Sequence, residues 1–228
     1  MSKFIRLNIT AEGQTEERFV KETLSPHLGN FNLSTDIRCV LTSKDKHKKY
    51  RGGLISYQKA KFDIITWLKT DKHNETRFTT MFDLYALPDD FPGYNEAIKL
   101  SDPYMKVEVI EQALKADIDD WRFIPYIQLH EFEALLFTKP SELELEYFHH
   151  KEAIQALENI LQQFRNNPEL INDRSDFAPS KRIIQLIPEY TGNKVSVGAV
   201  IAGIIGIDKL KQSCSHFRNW VERLEKLS

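Results

Sequence analysis

The strongest constraint on the fold of this chain is the order in which its apolar pattern changes period. Residues 4–9 (FIRLNI) alternate apolar and polar side chains and run into Thr10-Ala11-Glu12-Gly13, a strand ending in a turn. Thr15 then reads as a helix N-cap, with Glu16 and Glu17 in the first turn, where the helix dipole favours anions. That helix is predicted to run to about Leu24, before Pro26. Strands are expected at 36–41, at 77–84 with Asp83 at its end, and at 122–129, where Pro125 implies an edge or an end. Helices are expected at 54–68 and at 103–116, the latter capped by Ser101 or Asp102 with a proline at its start. Residues 130–137 read as a short helix, and from about 141 the chain reads as mainly helical, over 150–165, 179–187, 197–206 and 214–226. Strands alternating with helices predict an α/β fold with a mostly parallel sheet and flanking helices. The expected organisation is an α/β core over 1–140 with a mainly helical C-terminal elaboration over 141–228 packed on it.

Composition narrows the function classes. The chain has 228 residues, 31 Lys plus Arg against 33 Asp plus Glu, and 41 % hydrophobic residues, which excludes a disordered or fibrous chain. A core of this size needs no disulfide or metal in order to fold. The net charge of −2 excludes a broadly basic nucleic-acid coat but not a local basic groove. The longest apolar run, 195–207, is interrupted by Ser196, Gly198, Gly203 and Gly206, so no membrane span is predicted. The sequence opens on a strand, and no signal peptide is expected. Cys39 and Cys214 have no metal-ligand spacing, and a cytoplasmic location with both thiols reduced is the expectation. Cys-x-His at Cys214 and His216 supplies too few ligands for zinc, and Cys214 is expected in a core with Phe217 and Trp220. The sequence contains neither a Walker A nor a GxSxG motif.

In parallel sheets, ligands bind at the carboxyl ends of the strands. Three of the four predicted strands end near carboxylates: Glu12 and Glu16, then Asp83, then Glu131 and Glu133. Gathered at one sheet edge, these groups repel one another unless a cation sits between them. Hard oxygen ligands suit Mg²⁺ or Mn²⁺, ions that polarise a phosphate and activate water. Simpler roles stand beside this one. Glu12 is a turn residue, and Glu16 and Glu17 stabilise a helix start. Asp83, in an otherwise apolar strand, is the hardest to explain as a solvated side chain. Glu131 and Glu133, two apart, point in different directions on a helix, so one is expected to bind metal and the other to cap or pair. His130 is either a strand-end core histidine or a partner that orients an acid. His149 and His150 read as surface residues.

The run Ala11-Glu12-Gly13-Gln14-Thr15-Glu16 after a hydrophobic strand resembles the opening motif of Toprim domains, the metal-binding core of topoisomerases, primases and OLD-family nucleases. In that pattern a later strand ends in Asp-x-Asp. Here Asp83 matches the first acid and the run continues Leu84-Tyr85, so Asp89, Asp90 or the Glu131/Glu133 pair is left to supply a further ligand. The wider set AEGQTEE, FDLYALP with FPGY, HEFEALLF, PSKR and CSHFRNW resembles a bacterial domain-of-unknown-function family of the Toprim clan over nearly the whole chain. The resemblance implies a Toprim-like fold and, by analogy, a metal-dependent nuclease in bacterial defence. It also implies a lysine downstream of the acids that stabilises charge in the transition state, a place that Lys181 in the run DFAPSKRI matches in order. OLD-like nucleases join the nuclease to an ATPase. This chain carries no ATPase part, so a separate AAA- or ABC-type ATPase partner is expected.

Two basic segments complete the reading. Residues 44–51 (KDKHKKYR) precede Gly52-Gly53 and a predicted helix, where backbone amides meet phosphates. Lys48, Lys49 and above all Arg51 are candidates for DNA or RNA backbone contacts, with Tyr50 and Tyr57 as stacking residues. A solvated lysine-rich loop fits the same residues. Ser180 reads as a helix cap and Arg182 as a flanking phosphate contact or a surface residue. The sequence therefore points first to a metal-dependent phosphodiesterase whose catalytic residues are Glu12, Asp83 and Lys181 and whose metal ligands are Glu12, Glu16, Asp83, Glu131 and Glu133. A Toprim-fold subunit that binds nucleic acid or a partner without chemistry is the second reading. A nucleotidyl- or phosphoryl-transferase using the same metals is the third.

Overall fold

In the computed structural model, which describes residues 3–40, 54, 56–171 and 177–228, every strand pairing is parallel. Strand β1 (Ile5–Ala11) leads into helix α1 (Gln14–Phe19), a π-helical turn (Val20–Leu24) and α2 (Ser25–Gly29). Then follow β2 (Leu33–Cys39), α3 (Tyr57–Thr70), β3 (Thr76–Asp83), α4 (Tyr94–Ala97) and α5 (Pro103–Ile118). Two short strands, β4 (Phe123–Ile124) and β5 (Ile127–Gln128), close the series. The sheet order is β2-β1-β3-β4, with β5 also paired to β3. Parallel strands joined by helices make this the α/β arrangement expected of a Toprim-like chain.

Three local expectations change. The first helix caps at Gly13 rather than Thr15, because the Glu16 carboxylate closes back on the Gly13 N–H. It does not stop before Pro26. The backbone widens into the π-helical turn directly ahead of that proline, whose ring and missing N–H oppose α-helical bonding. The single strand expected over 122–129 is split at Pro125. The Thr80 hydroxyl bridges the break: Tyr126 N–H donates to Thr80 Oγ1 and Thr80 Oγ1 donates to Tyr126 O, both at 2.9 Å.

Both faces of the sheet are covered. Ile5, Leu7 and Ile9 of β1 join one apolar cluster with Phe19, Leu24 and the C-terminal residues Ile201, Phe217, Trp220 and Leu224. Phe78 and Phe82 of β3 join a second with Ala60, Ile64, Ile110 and Leu114 of α3 and α5. The C-terminal helices are α6 (Lys151–Gln163), α7 (Pro179–Leu186), α8 (Tyr190–Asn193), α9 (Ala199–Ile205), α10 (Ile207–Ser213) and α11 (Ser215–Glu225). A second π-helical turn, Lys194–Gly198, joins α8 to α9. The C-terminal helices are anchored to the sheet by Trp220, whose Nε1 donates to Thr79 Oγ1 of β3 at 2.9 Å while its ring stacks on Tyr126 at 4.1 Å. Cys214 is fully buried beside Phe217, as expected. Among the described residues no single helix is long and apolar enough to cross a membrane. The apolar run at 195–207 puts one side into the core, with Val197, Ile201, Ala202 and Ile205 buried, while Val195 and Ile204 are exposed.

Candidate active site

The carboxyl ends of β1 and β3 lie side by side, and hydrogen bonds lock them there. The Glu12 N–H continues the ladder to Met81 O at 3.1 Å, and Glu12 Oε2 accepts the Asp83 N–H at 3.0 Å. Glu16, on the first turn of α1, is buried, and its Oε2 accepts the Gly13 N–H at 3.0 Å. Gly13 suits that approach, since a Cβ there would stand 3.3 Å from the same oxygen.

The remaining two acids arrive on the short helix expected here, which is a 3₁₀ helix, Phe132–Thr138. Glu131 is its N-cap residue, and Glu131 Oε2 accepts the Ser180 N–H at the start of α7 at 2.9 Å. Glu133 is buried in the helix itself, and its Oε1 accepts from Tyr190 Oη at 3.4 Å and pairs with Lys194 Nζ at 3.5 Å. His130, with φ at 65°, turns the chain from β5 into this helix. Its C=O accepts the Tyr85 N–H at 2.9 Å, tying the segment after Asp83 to the segment before Glu131. The buried His130 ring donates from Nε2 to Glu169 O at 2.9 Å, and burial pulls its pKa down to about 4. The neutral ring therefore props the turn and adds no charge.

Five carboxylates thus share one electrostatic neighbourhood. Burial pushes Glu12 up to about 8, against the pull of the Asp83 N–H and with the charges of Glu16, Glu131 and Glu133 adding to the rise. Glu16 is raised to about 7 by burial first, with Glu133 adding and Lys194 opposing. Asp83 is raised well above its ordinary value by burial and then by Glu16, Glu12, Glu133 and Glu131. Glu133 is raised by burial, with Lys194 opposing and Glu131 adding. Asp83 Oδ1 is enclosed and, among the described residues, has no hydrogen-bond donor. A buried carboxylate oxygen without a donor is costly, and the charged form needs a cation.

The donor set suits a hard divalent cation: carboxylate oxygens, partly dehydrated, with one unsatisfied. Among the described residues, no three His, Cys, Asp or Glu side chains already stand as joint ligands of one ion. Glu12, Glu16, Glu131 and Glu133 each turn one oxygen to a protein donor.

Lys181 is exposed on the first turn of α7, with Nζ 5.8 Å over the Tyr85 ring. Arg182 lies between the rings of Phe164 and Phe177, at 5.5 and 5.2 Å. Lys48, Lys49, Tyr50 and Arg51 fall outside the described residues. Tyr57 is not open for stacking. It is 3 % exposed, its N–H donates to Asp90 Oδ1 at 2.9 Å, and its hydroxyl donates to Asp117. Asp90 is thereby turned toward the start of α3. Sequence reasoning missed Lys194 and Tyr190, which reach Glu133 from α8 and the second π-helical turn. Arg18 Nη1 of α1 holds that turn through Ser196 O at 3.1 Å.

A family model described as "Domain of unknown function (DUF4276)" matches residues 11–225. No curated protein matches the chain. Two solved structures are similar to it. The C-terminal region of the Burkholderia pseudomallei OLD protein is 15% identical, covering 99% of this chain and 100% of that one, with a TM-score of 0.44. The C-terminal region of the Xanthomonas campestris pv. campestris OLD protein is 14% identical, covering 96% and 97%, with a TM-score of 0.34.

Proposed function

The chain belongs to the DUF4276 family, and from the chemistry of its strand-end carboxylates we propose that it is a metal-dependent phosphodiesterase acting on nucleic acid. The observation that carries this reading is Asp83 Oδ1, an enclosed carboxylate oxygen with no donor among the described residues, amid four glutamates. Glu12, Glu16, Asp83, Glu131 and Glu133 would hold Mg²⁺ or Mn²⁺, with Asp83 central. When bound, such an ion supplies Lewis acidity toward a phosphodiester and its attacking water. The chain's own residues set the stage for it. The Asp83 N–H fixes Glu12, the Gly13 N–H fixes Glu16 and the Ser180 N–H fixes Glu131. Lys194 at Glu133, and Lys181 on the rim, bring positive charge to meet a phosphate. The order of acids Glu12, Glu16 and Asp83 also follows the Toprim pattern.

The deciding experiment is cleavage of supercoiled plasmid, single-stranded DNA and RNA with Mg²⁺ or Mn²⁺, by wild type and Asp83→Asn. Cutting by the wild type alone is expected, and equal cutting by both removes Asp83 from the site. A role in bacterial defence beside a separate ATPase belongs to the same proposal. Pull-down from the native host is expected to recover that ATPase, and recovery of none counts against it.

Two observations favour a second reading, a nucleic-acid- or partner-binding subunit without chemistry. Tyr85 stands where the Toprim pattern places an acid, and no ready-made ligand trio exists among the described residues. That form predicts no rise in melting temperature with Mn²⁺, since a ligand that binds the native state stabilises it by mass action.

A further inference from the structure

Two exposed rings and two cations line one rim of the carboxylate cluster. Tyr85 lies two residues past Asp83, and its N–H is held by His130 O at 2.9 Å, so its place relative to the cluster is set by the backbone. Tyr85 is 42% exposed, with Lys181 Nζ 5.8 Å over its ring. Lys181 follows Ser180, whose N–H is held by Glu131. Arg182 comes next. Its Nε donates to Phe177 O at 2.7 Å and its guanidinium lies 5.2 Å over the ring of Phe177, a residue 40% exposed. The rim is therefore tied to the cluster at two points: Tyr85 follows Asp83 along the chain, and Glu131 holds the start of α7 through the Ser180 N–H.

We propose that this rim binds single-stranded nucleic acid, with unstacked bases on Tyr85 and Phe177 and phosphates at Lys181 and Arg182. The chemistry separates a single strand from a duplex. Bases in a duplex cover one another's faces, whereas an unpaired strand offers each face to an aromatic ring. Cations beside the rings match the backbone charge and offset the repulsion that the carboxylates exert on a phosphate. The inference deepens the phosphodiesterase reading by naming its substrate class, and rests on that reading only for the fate of the bound strand.

The test is fluorescence anisotropy in EDTA with full-length protein. The probes are a labelled DNA oligonucleotide, the RNA of the same sequence, and the blunt DNA duplex. The single strands are expected to bind about ten-fold or more tightly than the duplex. The DNA and RNA arms decide which backbone is preferred. Tyr85→Leu and Phe177→Leu are each expected to weaken single-strand binding roughly five-fold to a hundred-fold. Melting temperatures should stay unchanged, because both rings are exposed. Tyr85→Phe, which keeps the ring, should bind as wild type. Lys181→Gln should flatten the log–log salt dependence by about 0.7. Equal or tighter duplex binding, unchanged binding by both leucine variants, or no binding to any probe overturns the proposal. No divalent metal is present, so failure here leaves Mn²⁺ stabilisation through Asp83 untouched, and the reverse also holds.

Discussion

Glu12 Oε2 accepts the backbone N–H of Asp83 at 3.0 Å, which makes the carboxylate ending the first strand a fixed partner of the one ending the third. The bond uses the main chain of Asp83, and among the described residues its enclosed side-chain Oδ1 has no donor. The bond thus holds two acids together and engages the carboxylate of only one of them.

Asp83→Asn should therefore raise stability while removing function. At about pH 8 in EDTA the wild type either keeps a buried charge or takes up a proton that the unfolded chain has released, and both are costly. The amide avoids either and should stabilise the metal-free protein by about 1–3 kcal/mol, read as a higher urea midpoint. Wild type should gain melting temperature with Mn²⁺ and the variant should not. A less stable Asp83→Asn, or an equal Mn²⁺ response, contradicts the role given to this side chain.

The same cluster predicts how stability depends on pH. Glu12 is raised from 4.5 to about 8 and Glu16 from 4.5 to about 7, each by burial first. Between those values the folded state holds more protons than the unfolded state, so unfolding releases protons and stability falls as pH rises. In EDTA the urea midpoint should fall between about pH 6 and about pH 8.5, and Glu12→Gln should flatten that fall. Mn²⁺ affinity should run the other way and strengthen with pH, because ligands must lose protons to bind. A midpoint that rises over this window would show that the carboxylates are not strained by burial.

Much of this site is legible in the sequence because backbone periodicity places it. Glu12 and Asp83 follow apolar strands, and a parallel sheet brings such ends together. Glu16 is readable from its distance to Gly13. Local spacing serves less well at Glu131 and Glu133. On an α-helix they diverge, but here Glu131 caps the 3₁₀ helix with extended backbone, and both reach the cluster. Tyr190 and Lys194 carry no local signal, because tertiary packing alone carries α8 and its π-helical turn to Glu133. The exposure of Tyr85 and Phe177 and the burial of Tyr57 are equally invisible to a pattern of residue types. Pro125 signals a strand end but not the Thr80 hydroxyl that bridges the gap.

Lys194 is the cation paired with Glu133, and its charge opposes the rise of both Glu133 and Glu16. A positive charge there also repels an incoming divalent ion. Lys194→Gln should therefore tighten Mn²⁺ binding by a few-fold at about pH 8, measured by titration calorimetry. The metal-free variant should lose about 1 kcal/mol of stability, since Glu133 loses its counter-charge. Weaker Mn²⁺ binding in the variant would mean that Lys194 organises the ligands rather than competing with the ion.

Glu169 offers the clearest stability test away from the cluster. It is 0% exposed and lies just past Asn167, whose side chain caps its short 3₁₀ turn. Its Oε2 accepts from Tyr104 Oη at 3.0 Å, Ser215 Oγ at 3.2 Å and the His216 N–H at 3.0 Å, and its Oε1 accepts the Phe217 N–H at 2.9 Å. Two of these donors are first-turn N–H groups of α11, which have no partner within their own helix. Glu169 therefore caps α11 from a distant segment and ties it to Tyr104 of α5. Glu169→Ala leaves the buried Phe217 N–H and three partly buried donors without this acceptor and should cost about 2–4 kcal/mol. Glu169→Gln keeps one acceptor oxygen and should cost less, about 1–3 kcal/mol. Because α11 also carries Trp220 onto Thr79 of β3, the loss should appear as a lower urea midpoint for the whole chain with an unchanged slope. A loss below about 1 kcal/mol in the alanine variant would show that water replaces the carboxylate and that α11 is held by its apolar face alone.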